Sequence, residues 1–343
     1  MQPDSPDVIP MDTAELHKQL THDLNGFQRA AIMHALVSLN VIDTIQQGAT
    51  VSKDIATVIG VDHSALIRIL NAAVSLRLLN AGHDGHYTVT ERGALLSPSH
   101  PNTVSAYARL SVEQYWLPWR ELTQSIRDGQ TVFDRVHGCK PWEYRNLHPE
   151  QGALFDAWQK GESSQALRDI LAVWDLSPFK VVADIGGGIG TLLDASLSRW
   201  PQLQGVLFEQ AQTLAKMPPF QNPDIAQRLT KLSGDFFKDI PIEADCWVLK
   251  SVLHNWDDEH AQKILMQCAK AMGQHARLFI IERVLRDDLS SNAFMVDLHM
   301  LMVTGGRERT MAQYQQLASK AGLSVLRLTP TAGDFSLIEL TLQ

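Results

Sequence analysis

The chain has 343 residues, 45% of them hydrophobic and 20% charged, a balance that fits a sizeable core and more than one domain. Its net charge of −8 leaves no basic footprint for nucleic acid and points to a small-molecule ligand. Cys139, Cys246 and Cys268 are scattered, odd in number and in no metal-ligand spacing, so they read as reduced thiols of a cytoplasmic protein. Apolar runs fall short of the ~18–20 residues of a membrane span, and Asp4, Asp7, Asp12 and Glu15 are unlike the basic start of a signal peptide.

Residues 24–42 are apolar on nearly every helical face. A helix of that kind is expected to be buried, and near a terminus its cover is a second subunit, so a homodimer is expected. Residues 51–96 read as helix, turn, helix and a hairpin turning at Asp84-Gly85, which is a winged-helix pattern. Residues 1–100 hold six Lys/Arg against ten Asp/Glu, and the second helix offers only Arg68 and Arg77. Without a basic stripe to meet phosphates, residues 1–102 read as a dimerisation scaffold and not a DNA reader.

Residues 103–176 read as a helical, aromatic-rich linker that contributes to a pocket for a flat substrate. From 177 to 343 strands and helices alternate, which calls for an α/β domain with a mostly parallel sheet. The final runs SVLRLTP and DFSLIELTL are joined by only Thr-Ala-Gly, so they are expected to pair antiparallel at one edge.

The sharpest local pattern is Asp184-Ile185-Gly186-Gly187-Gly188-Ile189-Gly190, between a strand and a helix. Glycines let backbone approach a ligand closely, and open α/β sheets bind ligands outside the carboxyl ends of their strands. A dinucleotide fingerprint wants a third glycine where Thr191 stands. Asp184, two residues before the first glycine, is placed to reach the amino group of a bound amino acid. Glu209, at the end of the second strand, suits ribose hydroxyls. Asp235 and Phe236 follow the third strand and suit an adenine amino group and ring face, while Lys250 and Trp256 flank the end of the fourth. Trp256 packed in the core, and Lys250 as a solvated charge, are the plainer readings.

His254 follows that fourth strand, the strand-end position where chemistry is done in open sheets. Glu282 or Glu308 would orient it, because a carboxylate on one imidazole nitrogen leaves the other to take a proton. A helix N-terminal acid at Glu308 and a buried ion-paired acid at Glu282 are the alternatives.

Over nearly its whole length the chain resembles the S-adenosylmethionine (SAM)-dependent O-methyltransferases of the plant caffeic acid/isoflavone and bacterial antibiotic-tailoring type. The resemblance rests on DxGGGxG at Asp184–Gly190, a GDFF-like segment at Gly234–Phe237, LK..LHxWxDE at Leu249–Glu259 and GGxERT at Gly305–Thr310. It implies a winged-helix dimerisation region and a Rossmann-like class I methyltransferase domain, with His254 as general base flanked by Glu282 and Glu308. It also implies SAM contacts from Gly186, Gly188, Glu209, Asp235, Phe236 and Lys250, with S-adenosylhomocysteine as product and no metal. Trp119, Phe155, Gln159, Phe294, Leu298 and Met302 are expected to line the acceptor pocket. Gln159 stands where many relatives carry a methionine that clamps an aromatic ring, and Glu209 where the usual residue is Asp. The expected reaction is methylation of a small aromatic or enolic hydroxyl. Competing readings are a SAM-binding member that methylates N or C or performs non-methylating chemistry, a DNA-binding regulator and a nicotinamide-dependent reductase.

Overall fold

The computed structural model describes residues 12–343 apart from 83, 221 and 287–291, with the side chains of 162–165 also left out. Asp4 and Asp7, part of the acidic start, lie outside the described residues. Packing divides the chain into two compact units, one through Gln114 and one from Tyr115.

The first unit opens with α1 (Thr13–Leu24), α2 (Gly26–Ser38) and α3 (Val41–Gln46). The apolar stretch expected as one buried helix is therefore broken. Asn40 takes the left-handed conformation at φ 55, which asparagine tolerates better than most residues. Leu36, Val37, Val41, Ile42 and Ile45 join a core with Ile55, Leu66 and Leu70. The opposite end stays uncovered, with Leu20 65%, Leu24 76% and Phe27 56% exposed. Next come α4 (Ser52–Ile59) and α5 (His63–Ser75), then strands β1 (Leu79–Ala81) and β2 (Tyr87–Val89), paired antiparallel around Asp84-Gly85. Helices α6 (Glu91–Ala94) and α7 (Ser105–Glu113) complete the unit.

The second unit begins with five helices, α8 (Trp116–Arg120), α9 (Leu122–Asp128), α10 (Phe133–His137), α11 (Pro141–Leu147) and α12 (Pro149–Val173). An alternating series follows: β3 (Val181–Ile185), α13 (Thr191–Arg199), β4 (Gln204–Glu209), α14 (Ala211–Lys216), α15 (Pro223–Arg228), β5 (Leu229–Ser233) and β6 (Cys246–Lys250). The chain ends with α16 (Asp258–Ala271), β7 (Arg277–Leu285), α17 (Ala293–Val303), β8 (Arg309–Thr310), α18 (Met311–Lys320), β9 (Leu323–Pro330) and β10 (Phe335–Leu342).

The sheet runs β5-β4-β3-β6-β7-β10-β9, parallel through β7. The last two strands pair antiparallel, with β10 inserted between β7 and the edge strand β9. Alternate residues feed two cores: Ala183, Trp247, Leu249 and Ile280 face one side, Val182, Cys246, Val248 and Ile281 the other. A sheet covered on both faces needs such near-continuous apolar strands. Because β3, β4, β6 and β7 point the same way, their carboxyl ends gather Gly186, Glu209, Ser251 and Glu282 along one rim. Among the described residues no single helix is long and apolar enough to cross a membrane.

Candidate active site

The glycine turn leaves β3 with Gly186, Gly188 and Gly190 at φ 70, 60 and 78, a left-handed region that glycine enters at little cost. A Cβ at Gly187 would come within 2.3 Å of the Asp184 carboxylate, whereas one at Gly188 would meet only Gln159 Oε1 at 3.9 Å. The turn therefore presses down on Asp184 and opens above Gly188. The backbone N–H of Gly188 donates to Glu209 Oε2 at 3.0 Å, and that of Gln210 to Oε1 at 2.7 Å. Burial pushes the Glu209 carboxyl up even so.

A cavity of roughly 180 Å³ sits over the turn. It is lined by Gly186, Gly188, Glu209, Phe236 and Trp256 together with Arg145, Phe155, Asp156 and Gln159; His254 is not part of the lining. Three expected cofactor residues are placed otherwise. Asp184 is 1% exposed beneath the turn, with neither oxygen hydrogen-bonded among the described residues. Burial, reinforced by Glu209 and opposed by Lys250, pushes its carboxyl up to about 7. It does not reach the cavity, because the tight turn folds over it. Asp235 is exposed and turned to the Phe237 N–H (3.0 Å) and Lys238 (3.5 Å). Lys250 holds its ammonium 5.2 Å over the Phe335 ring, outside the cavity lining.

His254 lies in a single 3-10 turn, Leu253–Asn255, directly after β6. Its Nδ1 is 2.8 Å from Glu308 Oε1 and 3.6 Å from Glu282 Oε2, and both glutamates are fully buried. Glu282 Oε1 also accepts from the N–H groups of Val252 (3.0 Å) and His254 (3.3 Å), so it fixes the loop as well as the ring. Burial alone would lower the imidazole, but the two carboxylates outweigh it and the net shift is upward. Glu282 is itself raised, by burial first, with His254 opposing and Glu308 adding to the rise. The ligand atoms of these three residues lie within 4.8 Å of one another, a grouping that 28 and 26 residues of separation concealed in the sequence.

The segment carrying Glu308 is locked to the histidine loop. Gly306 passes so close that a Cβ would fall 2.0 Å from the His254 carbonyl oxygen, and the Arg307 N–H donates to that oxygen at 2.8 Å. Buried Arg309 donates to Leu253 O (2.9 Å), Trp256 O (2.8 Å) and Asp258 Oδ1 (2.9 Å), which ties both ends of the loop.

Among the expected acceptor residues, Phe155 and Gln159 line the cavity and Trp119, Phe294, Leu298 and Met302 do not. Met302 is fully buried, and its carbonyl accepts from Thr131 Oγ1 at 3.0 Å, so it braces the core. The Trp119 indole N–H donates to His299 Nδ1 at 3.2 Å. Indole only donates, so that nitrogen carries a lone pair and the ring is neutral. Burial first, then Arg145 and His254, push His299 down to about 4. Sequence reasoning missed His299, Asp297, Arg145 and Arg309. Asp297 and His299 interrupt the apolar run of α17, and that interruption was the available signal: Asp297 accepts the Glu308 N–H at 2.8 Å. Arg309 stands beside Glu308 in its motif; nothing in the sequence marks Arg145.

The pattern of an O-methyltransferase domain matches residues 119–324, and that of an O-methyltransferase dimerisation domain matches residues 21–99. The chain is 30% identical to a phenazine O-methyltransferase of Lysobacter antibioticus, covering 92% of this chain and 93% of the relative. It is also 30% identical to the mitomycin biosynthesis 6-O-methyltransferase of Streptomyces lavendulae, covering 98% and 97%. An O-methyltransferase of neocarzinostatin biosynthesis, solved with SAM and 2-hydroxy-5-methyl naphthoic acid, superposes with a TM-score of 0.81 at 30% identity, covering 92% and 96%. The cradle fits that cofactor: open space over Gly188, a cavity-facing carboxylate at Glu209 with lone pairs to spare, and aromatic faces at Phe236 and Trp256. The chain belongs to the SAM-dependent O-methyltransferase family, with a dimerisation domain ahead of its catalytic one.

Proposed function

We propose that the acceptor is a hydroxyl of a small aromatic or enolic compound, deprotonated by His254 as its oxygen attacks the methyl carbon. The observation that carries this reading is the 2.8 Å contact between His254 Nδ1 and buried Glu308, with Glu282 of β7 at 3.6 Å from the same nitrogen. A carboxylate at Nδ1 holds the proton there and leaves Nε2 as the basic nitrogen. A free phenol has a pKa of about 10 and is a poor nucleophile at neutral pH. A positioned base typically contributes about 10²–10⁴-fold. The imidazolium so formed lies among two carboxylates, each with one oxygen that has no other hydrogen-bond partner among the described residues, so its charge is met where it appears.

SAM supplies a methyl on a sulfonium, which departs as a neutral thioether. Gly186 and Gly188 offer it backbone, Glu209 takes its ribose hydroxyls, and Phe236 and Trp256 cover its adenine. Asp184 acts from beneath by bracing the turn, and Lys250 by its field on Asp184. Asp235, exposed two residues beyond β5 and turned to the Phe237 N–H, stays outside this set. Holding oxygen and carbon in line contributes up to ~7–11 kcal/mol for well-oriented partners. On the acceptor side Phe155 and Gln159 form a wall, with Trp119, Phe294, Leu298 and Met302 supporting it. The phenazine, mitomycin and naphthoic acid scaffolds named for the relatives support a flat aromatic acceptor.

The same reading assigns residues 1–102 to a winged-helix dimerisation region, 103–176 to acceptor-contributing helices and 177–343 to the methyltransferase core. Leu16, Leu20 and Leu24 form an exposed stripe at helical spacing that a second copy would cover, giving a homodimer. We place the protein in the cytoplasm, on its unpaired thiols. The test is product mass over a panel of hydroxylated aromatics and enols. One methyl gained per acceptor is expected, with none when the hydroxyl is replaced by hydrogen; an unchanged mass across the panel rejects the reading. Light scattering at micromolar concentration is expected to give twice the chain mass.

A further inference from the structure

We infer that Asp156 binds the ammonium at the amino-acid end of SAM, a contact for which Asp184 stands in the expected sequence position. The inference rests on the reading that the cofactor lies over the glycine turn, and it adds a residue to that site.

SAM carries a sulfonium, a carboxylate and an ammonium, so two of its three charges call for an acid. Among the described residues the cavity over the turn is lined by two acids, Glu209 and Asp156. Asp184 is shut out beneath the turn. Glu209 already accepts from the Gly188 and Gln210 N–H groups, at 3.0 and 2.7 Å, and its remaining lone pairs suit ribose hydroxyls. Asp156 makes no hydrogen bond or ion pair among the described residues. Lys216, which lines the same cavity, donates instead to Asn146 Oδ1 at 2.9 Å. Asp156 is partly buried, and burial pushes its carboxyl up against the opposing fields of Lys216 and Arg145. A carboxylate taken partly out of water with no donor on it is costly, and a cation brought by the ligand removes that cost.

Its place on α12 aims it at the cofactor. Gly152, Phe155, Asp156 and Gln159 are spaced as i, i+3, i+4 and i+7, so they share one face of the helix, and all four line the cavity. The helix is held there at Gly152, where a Cβ would sit 2.8 Å from the Arg145 carbonyl oxygen on α11. Just beyond Asp156 on that face, Gln159 Oε1 is the one atom within 4 Å of a Cβ built on Gly188, at 3.9 Å. Asp156 therefore reaches the cavity from α12, while Glu209 reaches it from β4. In SAM the sulfur joins the ribose to the amino acid. Contacts to ribose at Glu209 and to ammonium at Asp156 thus fix the sulfonium, and the methyl it carries, between them.

The experiment measures binding by calorimetry in wild type and Asp156→Asn, a change that keeps the shape and removes the charge. Four ligands are compared: SAM, S-adenosylhomocysteine, deaminated S-adenosylhomocysteine with hydrogen in place of the amino group, and 5′-methylthioadenosine, which lacks the amino acid. Wild type is expected to bind S-adenosylhomocysteine about tenfold or more tightly than the deaminated analogue, the size of one charge-assisted contact. Asp156→Asn is expected to weaken SAM and S-adenosylhomocysteine equally, by about tenfold or more, and to bring the amino-group preference near one. It should hold the deaminated analogue and methylthioadenosine within about threefold of wild type, under half of a tenfold step in energy. The inference is overturned if wild type binds the deaminated analogue as tightly as S-adenosylhomocysteine, or if Asp156→Asn keeps the preference. A loss confined to SAM also overturns it, and assigns Asp156 to the sulfonium. Equal losses for all four ligands overturn it as well, because they report a disturbed cavity and not a lost ammonium contact. Should Asp156→Asn not fold, Asp156→Ser is read in the same way. If Gly188→Val and Asp156→Asn both leave S-adenosylhomocysteine affinity unchanged, the placement of the cofactor has failed; if only Gly188→Val weakens it, the placement stands and the role of Asp156 falls.

Discussion

At the glycine turn the cavity wall is mostly backbone, whereas the cluster at the end of β6 is built from side chains of three distant segments. The turn exposes open space above Gly188 and hides its one acid, Asp184, underneath. The cluster gathers one imidazole and two carboxylates, all buried, so the carboxylates hold the imidazole up and Glu308 adds to the rise of Glu282. A wall of backbone is insensitive to pH and sensitive to any added Cβ. A cluster of titratable groups has the opposite vulnerabilities. Mutations on the two sides should therefore separate cleanly, one affecting binding and the other turnover.

The largest separation is expected from His254→Ala. Removal of the base should lower kcat by about 10²–10⁴-fold, with S-adenosylhomocysteine affinity nearly unchanged. The loss should shrink as the acceptor hydroxyl becomes more acidic, because an already ionised phenol needs no base. The measurement is a rate series over phenols of graded pKa in both proteins. An equal fractional loss at every pKa would make His254 a positioning group and erase the contrast between the two sides.

Gly188→Val probes the other wall. Valine at φ 60 is strained, at roughly 1–3 kcal/mol, and its side chain enters the cavity. Affinity for S-adenosylhomocysteine by calorimetry should fall by about tenfold or more, at 1.4 kcal/mol per decade, while the pH dependence of turnover stays as in wild type. Unchanged affinity would mean that the cofactor does not sit over this turn.

The same contrast explains what could be read from the sequence. The turn occupies Asp184–Gly190 without interruption, so a linear reading finds it, and alternating apolar strands reveal the sheet. His254, Glu282 and Glu308 were identified by their strand-end and motif positions. Their mutual distances follow from register and from the close approach at Gly306, which no linear pattern reports. Side-chain direction was the weak point. Asp184 faces under the turn, and Met302 faces the core, because neighbouring packing decides which way a residue at the edge of a motif points. Arg145 was illegible for the same reason: a lone arginine on a short helix gives no sign of burial until α12 closes over it.

Glu308→Gln tests whether the cluster behaves as coupled charge. Only neutral His254 accepts a proton, so kcat/KM for a phenol should rise with pH through the folded-state value of the imidazole. Burial pulls that value down, but Glu282 and Glu308 hold it above its ordinary 6.5. Removing the Glu308 charge should move the limb to lower pH and cut the plateau rate by about tenfold, reflecting lost orientation with the base retained. Stability has a related sign: a raised imidazole stabilises the fold below its unfolded value, and that gain is lost as pH rises through the folded one. Glu308→Gln should therefore lose less stability than wild type between neutral and mildly alkaline pH. A limb that stays in place would show that Glu308 does not set the charge of His254.

The smallest effect is expected from Trp119→Phe. The indole N–H donates to His299 Nδ1, and neither ring lines the cavity over the cofactor turn. Removing one neutral hydrogen bond costs about 0.5–1.5 kcal/mol, so the acceptor KM should rise by about two- to tenfold with kcat and S-adenosylhomocysteine affinity nearly unchanged. His299 is neutral because it accepts from Trp119 and because burial, Arg145 and His254 all oppose its charge. Losing the indole removes only the first of these. The ring should still stay neutral above about pH 5, given a value of about 4 and a transition complete within roughly one pH unit. The pH profile of Trp119→Phe should then overlay that of wild type, with a single limb owed to His254. A second limb between pH 5 and 8 would show that His299 titrates in the working range, and that the titratable side of the cavity extends further than the base cluster.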